Sequence, residues 1–186
     1  MGSGKTTLVD LVMGLLEPTD GRIVVDGVAL NIAYWQAQIG YVPQDLYLTG
    51  DTIAANIAFG IPRDEIDMAG VARAAEAAYL DGFINGRLDE GYETRIGERG
   101  ARLSNGQRQR IGIARALYRN PKVVLILDEA TSALDYEMEQ AVMDAVTGLS
   151  HELTIIMIAH RLRQGGSDPL ASKGKLGSYT VQPSGA

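Results

Sequence analysis

The chain has 186 residues, 46% of them hydrophobic and 22% charged, with a net charge of -6, a balance that suits one globular unit with a real core and excludes disorder throughout. No stretch approaches the roughly 18 apolar residues that span a bilayer, and no basic segment followed by an apolar run marks a signal peptide. The negative balance argues against a nucleic-acid partner, whose affinity rests on clustered Lys and Arg, and the absence of cysteine excludes disulfides and thiolate metal sites.

Leu8, Val9, Val12, Leu15 and Leu16 recur at helical spacing and predict a helix over 5–16, stopped by Glu17-Pro18-Thr19-Asp20-Gly21. Residues 22–30 alternate loosely around Asp26-Gly27, which predicts a small hairpin rather than a central strand. A strand is expected at 39–42. Helices follow over 52–59 and 64–80, the latter with Val71, Ala72, Ala75, Ala78 and Tyr79 on one stripe. Residues 86–102 read as loop, and a helix runs over about 106–118 until Asn120-Pro121 ends it. On that helix Arg108, Arg110, Arg115 and Arg119 alternate with apolar residues and are expected to form a solvated or ion-paired face. Residues 123–127 are an unbroken apolar run of strand length, the mark of a parallel strand buried on both faces. A helix near 137–149 and a strand at 154–158 complete an alternating β/α order. From about residue 163 Gly, Ser and Lys dominate without periodicity, so 163–186 is expected to be a loose tail.

Two segments carry chemistry. Gly2-Ser3-Gly4-Lys5-Thr6-Thr7 opens directly into the first helix and matches the second half of the phosphate-binding pattern G-x-x-x-x-G-K-[ST]. Glycines let backbone N–H groups turn around phosphate oxygens at a helix N-terminus; Lys5 would reach the β- and γ-phosphates and Thr6 would place its hydroxyl on Mg2+. A simple helix-capping turn is the other reading. The second segment is the apolar strand that ends in Asp128-Glu129, where a parallel sheet places ligands at its carboxyl edge. Asp128 would hold Mg2+ through water, and Glu129 would polarise a water for in-line attack on a γ-phosphate; helix caps or solvated turns are the alternative there.

Leu103-Ser104-Asn105-Gly106-Gln107, followed by Arg108-Gln109-Arg110, resembles the signature motif of the ATP-binding cassette family, usually LSGGQ. Gln44 in Tyr41-Val42-Pro43-Gln44-Asp45 is similar to the family's Q-loop, Ser132-Ala133-Leu134-Asp135 to its D-loop, and His160 in Ile158-Ala159-His160-Arg161 to its switch histidine. All stand in family order over about residues 2–162. The resemblance implies an α/β fold: a P-loop core with a mainly parallel sheet and an inserted helical subdomain over about 46–112. It further implies an ATPase domain over 1–162, with the family's N-terminal antiparallel strands largely missing and 163–186 foreign to the pattern.

By the same resemblance, ATP and Mg2+ are the cofactors. Gly2, Ser3, Gly4, Lys5, Thr6 and Thr7 would bind nucleotide from one side, and Ser104, Asn105, Gly106, Gln107 and Asp135 would do so in a head-to-tail pair with a second such domain. Thr6, Gln44 and Asp128 would serve the metal; Glu129, Gln44 and His160 would serve catalysis. Membrane-spanning transporter domains are the implied partners, no nucleic acid is, and the implied location is the cytoplasmic face of the membrane. Residues 92–100 and 56–60 resemble exporter loops, so transport outward is expected. Asn105 stands where the family has glycine; it is expected to keep a left-handed turn while crowding the phosphate cap. The first glycine of the phosphate loop would precede Met1, which leads to the expectation that the chain as given binds ATP poorly. A soluble cassette ATPase without transport and a partner-binding fragment without hydrolysis are the competing readings.

Overall fold

The computed structural model describes residues 5–25, 27–29, 31–128, 130–131, 133–149, 153–158 and 180–182, with the backbone alone at 5, 6, 29, 147, 149 and 180–182. The apolar run becomes β4 (Val124–Asp128), the middle strand of a parallel sheet ordered β3-β4-β5, with β3 at Ile39–Val42 and β5 at Thr154–Ile158. Side chains of a strand alternate between faces. Val124 and Ile126 pack with Val9 and Met13, from α1 (Lys5–Val12) and the turn after it, and with Trp35 of α2 (Ile32–Gln36). Leu125 and Leu127 join Ile111 and Ala114 of α6 (Asn105–Tyr118) and Val142 and Val146 of α7 (Tyr136–Leu149). Both faces are therefore covered, which is why the run contains no polar residue before Asp128.

A second sheet is antiparallel. β1 (Arg22–Val25) lies between β2 (Val28–Ala29) and β6 (Thr180–Gln182). The hairpin is as expected, but β1 is the central strand of its sheet, a correction. The expected irregular tail is also corrected at one place: Ile23 pairs with Val181, so three residues beyond 163 form strand where β1 offers an open edge. The rest of that tail lies outside the described residues.

Between β3 and β4 the described chain is helical: α3 (Ile53–Ile57), α4 (Met68–Ala77), α5 (Asp81–Arg87) and α6, with 3-10 turns at Arg63–Glu65, Gly91–Glu93 and Glu98–Gly100. Its one extended pairing among the described residues is the single bridge Thr52–Arg95. The helical insert expected there is present, although α5 and α2 were not foreseen. α2 is anchored by Trp35, whose Nε1 donates to the Val12 carbonyl at 2.6 Å. α1 ends four residues early, in a turn through Gly14 (φ 67°), and leaves Leu15 and Leu16 exposed. Tyr79 leaves the apolar stripe because α4 ends at Ala77 and the chain turns through φ 52° there, so that Leu80 is buried in its place. No described helix is long and apolar enough to cross a membrane.

The expectation of a solvated or ion-paired face for the arginines of α6 is corrected for Arg110 and Arg115, which backbone carbonyls hold; Arg119 is exposed as expected, and Arg108 bonds to the Asn105 side chain. Arg110 Nη1 donates to Tyr79 O at 2.6 Å, and Arg119 Nη2 to Phe59 O at 3.0 Å. Arg115 is the most buried of them, and burial with Arg119 nearby pushes its pKa down to about 10, still far enough above neutrality to keep its charge. Its Nε donates to Asn56 O at 2.8 Å and its Nη1 to Tyr47 O at 3.0 Å.

Asn56 is fully buried and satisfied on both ends of its amide. Its Oδ1 accepts from the Thr49 N–H at 3.0 Å, and its Nδ2 donates to Thr52 O at 2.9 Å and Thr49 O at 3.2 Å. Thr52 O keeps the Asn56 backbone N–H at 3.0 Å, so Asn56→Ala orphans chiefly the partly buried N–H and carbonyl of Thr49, at about 1–3 kcal/mol each, and a loss of about 2 kcal/mol or more in denaturant unfolding is expected. Asn56→Asp should lose nearly as much, because a carboxylate cannot donate to the two carbonyls. A loss below about 1 kcal/mol for either variant would show that this amide does not organise the segment.

Candidate functional site

The three parallel strands finish on one edge of their sheet. Val42 pairs with Leu127, and Asp128 with Ile158, so the strand ends are nearly level. β3 leads into Pro43-Gln44, with Gln44 exposed in the loop. β4 ends on Asp128, the one partly exposed side chain of an otherwise buried strand. In sequence β5 leads into Ala159-His160. Tyr41 of β3 reaches across, its hydroxyl 3.5 Å from Asp128 Oδ2. Burial pushes the Tyr41 phenol above its ordinary range, and the charges of Asp128 and Asp10 add to the shift.

α1, which begins with Lys5, Thr6 and Thr7, packs on the same β4 through Val9, placing the first helix beside the strand that carries Asp128. Thr7 is exposed; the side chains of Lys5 and Thr6, and Gly2, Ser3, Gly4, Glu129, Ser132 and His160 altogether, lie outside the described residues. Among the described residues no three acidic or histidine groups cluster to hold a metal. The Asp128 carboxylate at a strand end fits Mg2+, which keeps waters and phosphate oxygens and takes only one or two carboxylates.

The signature segment forms the N-terminus of α6. Ser104 is the N-cap: its hydroxyl accepts from the Gln107 N–H at 3.2 Å, and the Gln107 Oε1 accepts from the Ser104 N–H at 2.8 Å. This reciprocal capping box satisfies two of the orphan donors of the first turn. Asn105 is corrected here. It is the first helical residue rather than a left-handed one, and its exposed side chain accepts from Arg108 Nη2.

Sequence reasoning missed how closely the D-loop packs on this helix. A Cβ at Gly106 would stand 3.3 Å from the Ala133 carbonyl oxygen, and the Ala133 N–H donates to Gln109 Oε1 at 2.9 Å. Asp135 caps α7, accepting from the Met138 N–H at 2.8 Å. Burial lowers the Arg110 pKa while the Asp135 charge opposes that shift, a second tie between α6 and this loop. Gln109 follows the signature motif in sequence, but nothing in its spacing points to Ala133. The predicted residues thus fall into two groups: Gln44 and Asp128 at the sheet edge with α1 beside them, and Ser104, Asn105, Gly106, Gln107 and Asp135 where α6 meets the start of α7.

Ser104→Ala removes one side of the capping box and should cost about 1 kcal/mol in thermal or denaturant unfolding; a neutral result would mean that the cap contributes nothing. Tyr41 gives an alkaline signature. Its folded pKa lies above the unfolded value near 10, so its contribution to stability is whole below that value and is lost as pH rises through the folded pKa. A tyrosinate absorbance titration, with Tyr41→Phe subtracted, should show one phenol that ionises at higher pH in the folded chain than in the unfolded one.

The ABC transporter family model matches residues 1–132. The ATP-dependent lipid A-core flippase of Cupriavidus metallidurans is 52% identical over 165 residues, covering 87% of this chain and 27% of that protein. ABC transporter B family member 13 of Arabidopsis thaliana is 45% identical over 164 residues, 87% of this chain and 13% of that protein. Among solved structures, a bacterial Atm1-family ABC exporter with ATP bound superposes with a TM-score of 0.77 at 43% identity, over 86% of this chain and 28% of that one. The chain thus spans little more than a quarter of the flippase and exporter lengths. With a family model that matches most of its length and a fold shared with an exporter of the same family, the chain belongs to the ABC transporter family.

Proposed function

We propose that this chain is the ATP-binding and ATP-hydrolysing cassette of an ABC exporter, with the cassette over 1–162 and its helical insert over about 46–112. The observation that carries the reading is the packing of α1 and Asp128 on one strand, which brings the helix opened by Lys5-Thr6-Thr7 beside the carboxylate that ends β4. The exporter relatives support the direction of transport.

In this reading Gly2, Ser3, Gly4, Lys5, Thr6 and Thr7 cradle the phosphates, because a helix N-terminus presents backbone donors and partial positive charge to an anion. Thr6, Gln44 and Asp128 hold Mg2+, which when bound screens the charge that grows on the leaving oxygens. Glu129 takes a proton from the attacking water. The new bond joins that water oxygen to the γ-phosphorus, the bond from the γ-phosphorus to the β–γ bridging oxygen breaks, and ADP and phosphate leave. His160 and Gln44 orient the water and the γ-phosphate. The Ser104 end of α6 caps the nucleotide of a second cassette paired head to tail, and membrane-spanning domains on the cytoplasmic face receive the movement.

The test is a graft of this chain into the Cupriavidus flippase in place of the segment it matches, alongside the 186-residue chain itself. Calorimetry with Mg-ATP should show binding that Lys5→Ala abolishes and Glu129→Gln keeps. Turnover should fall at least about a hundredfold in Glu129→Gln, the range expected for loss of a general base. Equal turnover in Glu129→Gln and the parent would remove Glu129 from that role, and binding unaffected by Lys5→Ala would remove the phosphate cradle. Affinity in the chain alone is expected to be weaker than in the graft.

A further inference from the structure

Arg115 is a partly buried cation that the proposed chemistry does not use, and it sits where three segments close into a ring. Its Nε donates to Asn56 O at 2.8 Å, its Nη1 to Tyr47 O at 3.0 Å and its Nη2 to Asn56 Oδ1 at 3.5 Å. The guanidinium carbon lies 4.6 Å from the centroid of the Phe59 ring. One side chain thereby fastens both ends of the segment from Tyr47 to Phe59 onto α6, and Tyr47 and Phe59 are exposed on its outer surface.

The held segment is bonded in turn to the chain that leads into the signature motif. The Ile53 N–H donates to Thr94 O at 3.1 Å, and the Ile96 N–H to Asp51 O at 3.2 Å. Thr52 and Arg95 form a bridge, and a Cβ at Gly100 would meet Leu48 Cδ1 at 2.8 Å. Four residues after Gly100 comes Ser104, the cap of α6. The ring is then complete: α6, the Arg115 staple, residues 47–59, residues 94–100, Ser104, and α6 again. Arg115 stands eleven positions along from the cap Ser104, about 16 Å of stiff rod at about 1.5 Å per residue.

We propose that Arg115 is a positioning residue that closes this ring, so that displacement of the exposed Tyr47 and Phe59 surface is passed to Ser104 at the start of the signature helix. The choice of arginine follows from its chemistry: a planar fork with five N–H donors reaches two carbonyls nine residues apart and still lies over a ring. Lysine keeps the charge but, as a point donor, cannot hold that geometry. Methionine keeps the stem alone. The consequence for hydrolysis rests on the cassette reading above; the mechanical link does not.

The experiment is amide hydrogen exchange, resolved by residue, on the 15N-labelled 186-residue chain without nucleotide, comparing the parent with Arg115→Lys and Arg115→Met. Three probes decide. Thr49 N–H, bonded to Asn56 Oδ1, reports the held segment; Gln107 N–H, bonded to Ser104 Oγ, reports the far end; the amides of β4 report global opening. Exchange at Thr49 and at Gln107 should both accelerate by at least about tenfold, the scale of one lost charge-assisted hydrogen bond, with β4 unchanged. Acceleration at Thr49 alone would reduce Arg115 to a local staple, and equal acceleration at all three would reduce it to general stability; either overturns the proposal. Should Arg115→Met fail to fold, Phe59→Leu, which removes only the ring under the guanidinium, is read by the same two criteria. A separate arm adds Mg-ATP to the flippase graft. There Arg115→Lys should keep the affinity of the parent while turnover falls, and absence of any ATP binding by the parent graft would refute the cassette reading while the nucleotide-free comparison still decides on the ring.

Discussion

The constraint on which the rest of this structure depends is that β4 must be covered on both faces. Val124, Leu125, Ile126 and Leu127 are each no more than 1% exposed, and full burial of such side chains is worth about 1.5–3 kcal/mol apiece. One strand therefore requires two layers, α1 and α2 on one side and α6 and α7 on the other, and among the described site residues Lys5, Thr6, Thr7, Ser104, Asn105, Gly106, Gln107 and Asp135 lie on or cap those helices. Parallel pairing to β3 and β5 then fixes direction, so that the chain leaves all three strands at one edge. Asp128 is the first residue past the buried run and is polar because the cover stops there. The position of the carboxylate follows from packing before any chemistry is considered.

The helical insert solves a different problem with few regular elements. Between β3 and α6 the chain has short helices and long irregular connections, whose carbonyls cannot all find partners within a helix or sheet. The arginines of α6 supply the missing donors to Tyr47, Asn56, Phe59 and Tyr79. Neutral carbonyls cost less to desolvate than carboxylates, and a guanidinium bonded to several of them keeps its charge without a buried ion pair, whose desolvation often cancels its attraction. Asn56 does the same from inside the segment with a single amide. The insert is thus held by polar side chains that act on backbone as much as by its apolar core.

Much of this was legible from residues. β3 and β5 fall where alternation and apolar runs place them, and the boundaries of α6 and α7 agree within a residue or so, because long periodic segments bury one face and carry a strong signal. What could not be read has physical causes. α2 is five residues long and owes its place to Trp35 docking on Val12, a contact across 23 positions that no local pattern encodes. Tyr79 fits the stripe of α4 but follows its last turn, so periodicity overran a boundary set by backbone conformation. Arg110 and Arg115 looked like a surface because periodicity counts charge as exposed, whereas a long side chain can pass its stem through the core and find carbonyls beyond. At the site, residue types were legible from motif order, but the closeness of the D-loop to the signature helix was not: Gly106 and Ala133 are 27 positions apart in sequence, and no local pattern encodes their contact.

The capping box also explains why asparagine is compatible with the signature position. Four N–H groups at the start of a helix lack internal partners. In α6 the Gln107 side chain occupies that of Ser104, and the Ser104 hydroxyl occupies that of Gln107. Among the described residues the N–H groups of Asn105 and Gly106 have no acceptor, and they are the two between those caps. A glycine at 105 would offer the same backbone N–H, because the residue is in ordinary helical conformation and needs no left-handed freedom. The asparagine side chain turns to Arg108 and is held there, which keeps its bulk on the helix surface instead of over the two donors. Gly106 differs: its hydrogen faces the Ala133 carbonyl at a distance that a methyl group would crowd. The two positions of the motif therefore answer to different constraints, the first to what its side chain covers and the second to what packs behind it, and only at the second would an added methyl group press on neighbouring backbone.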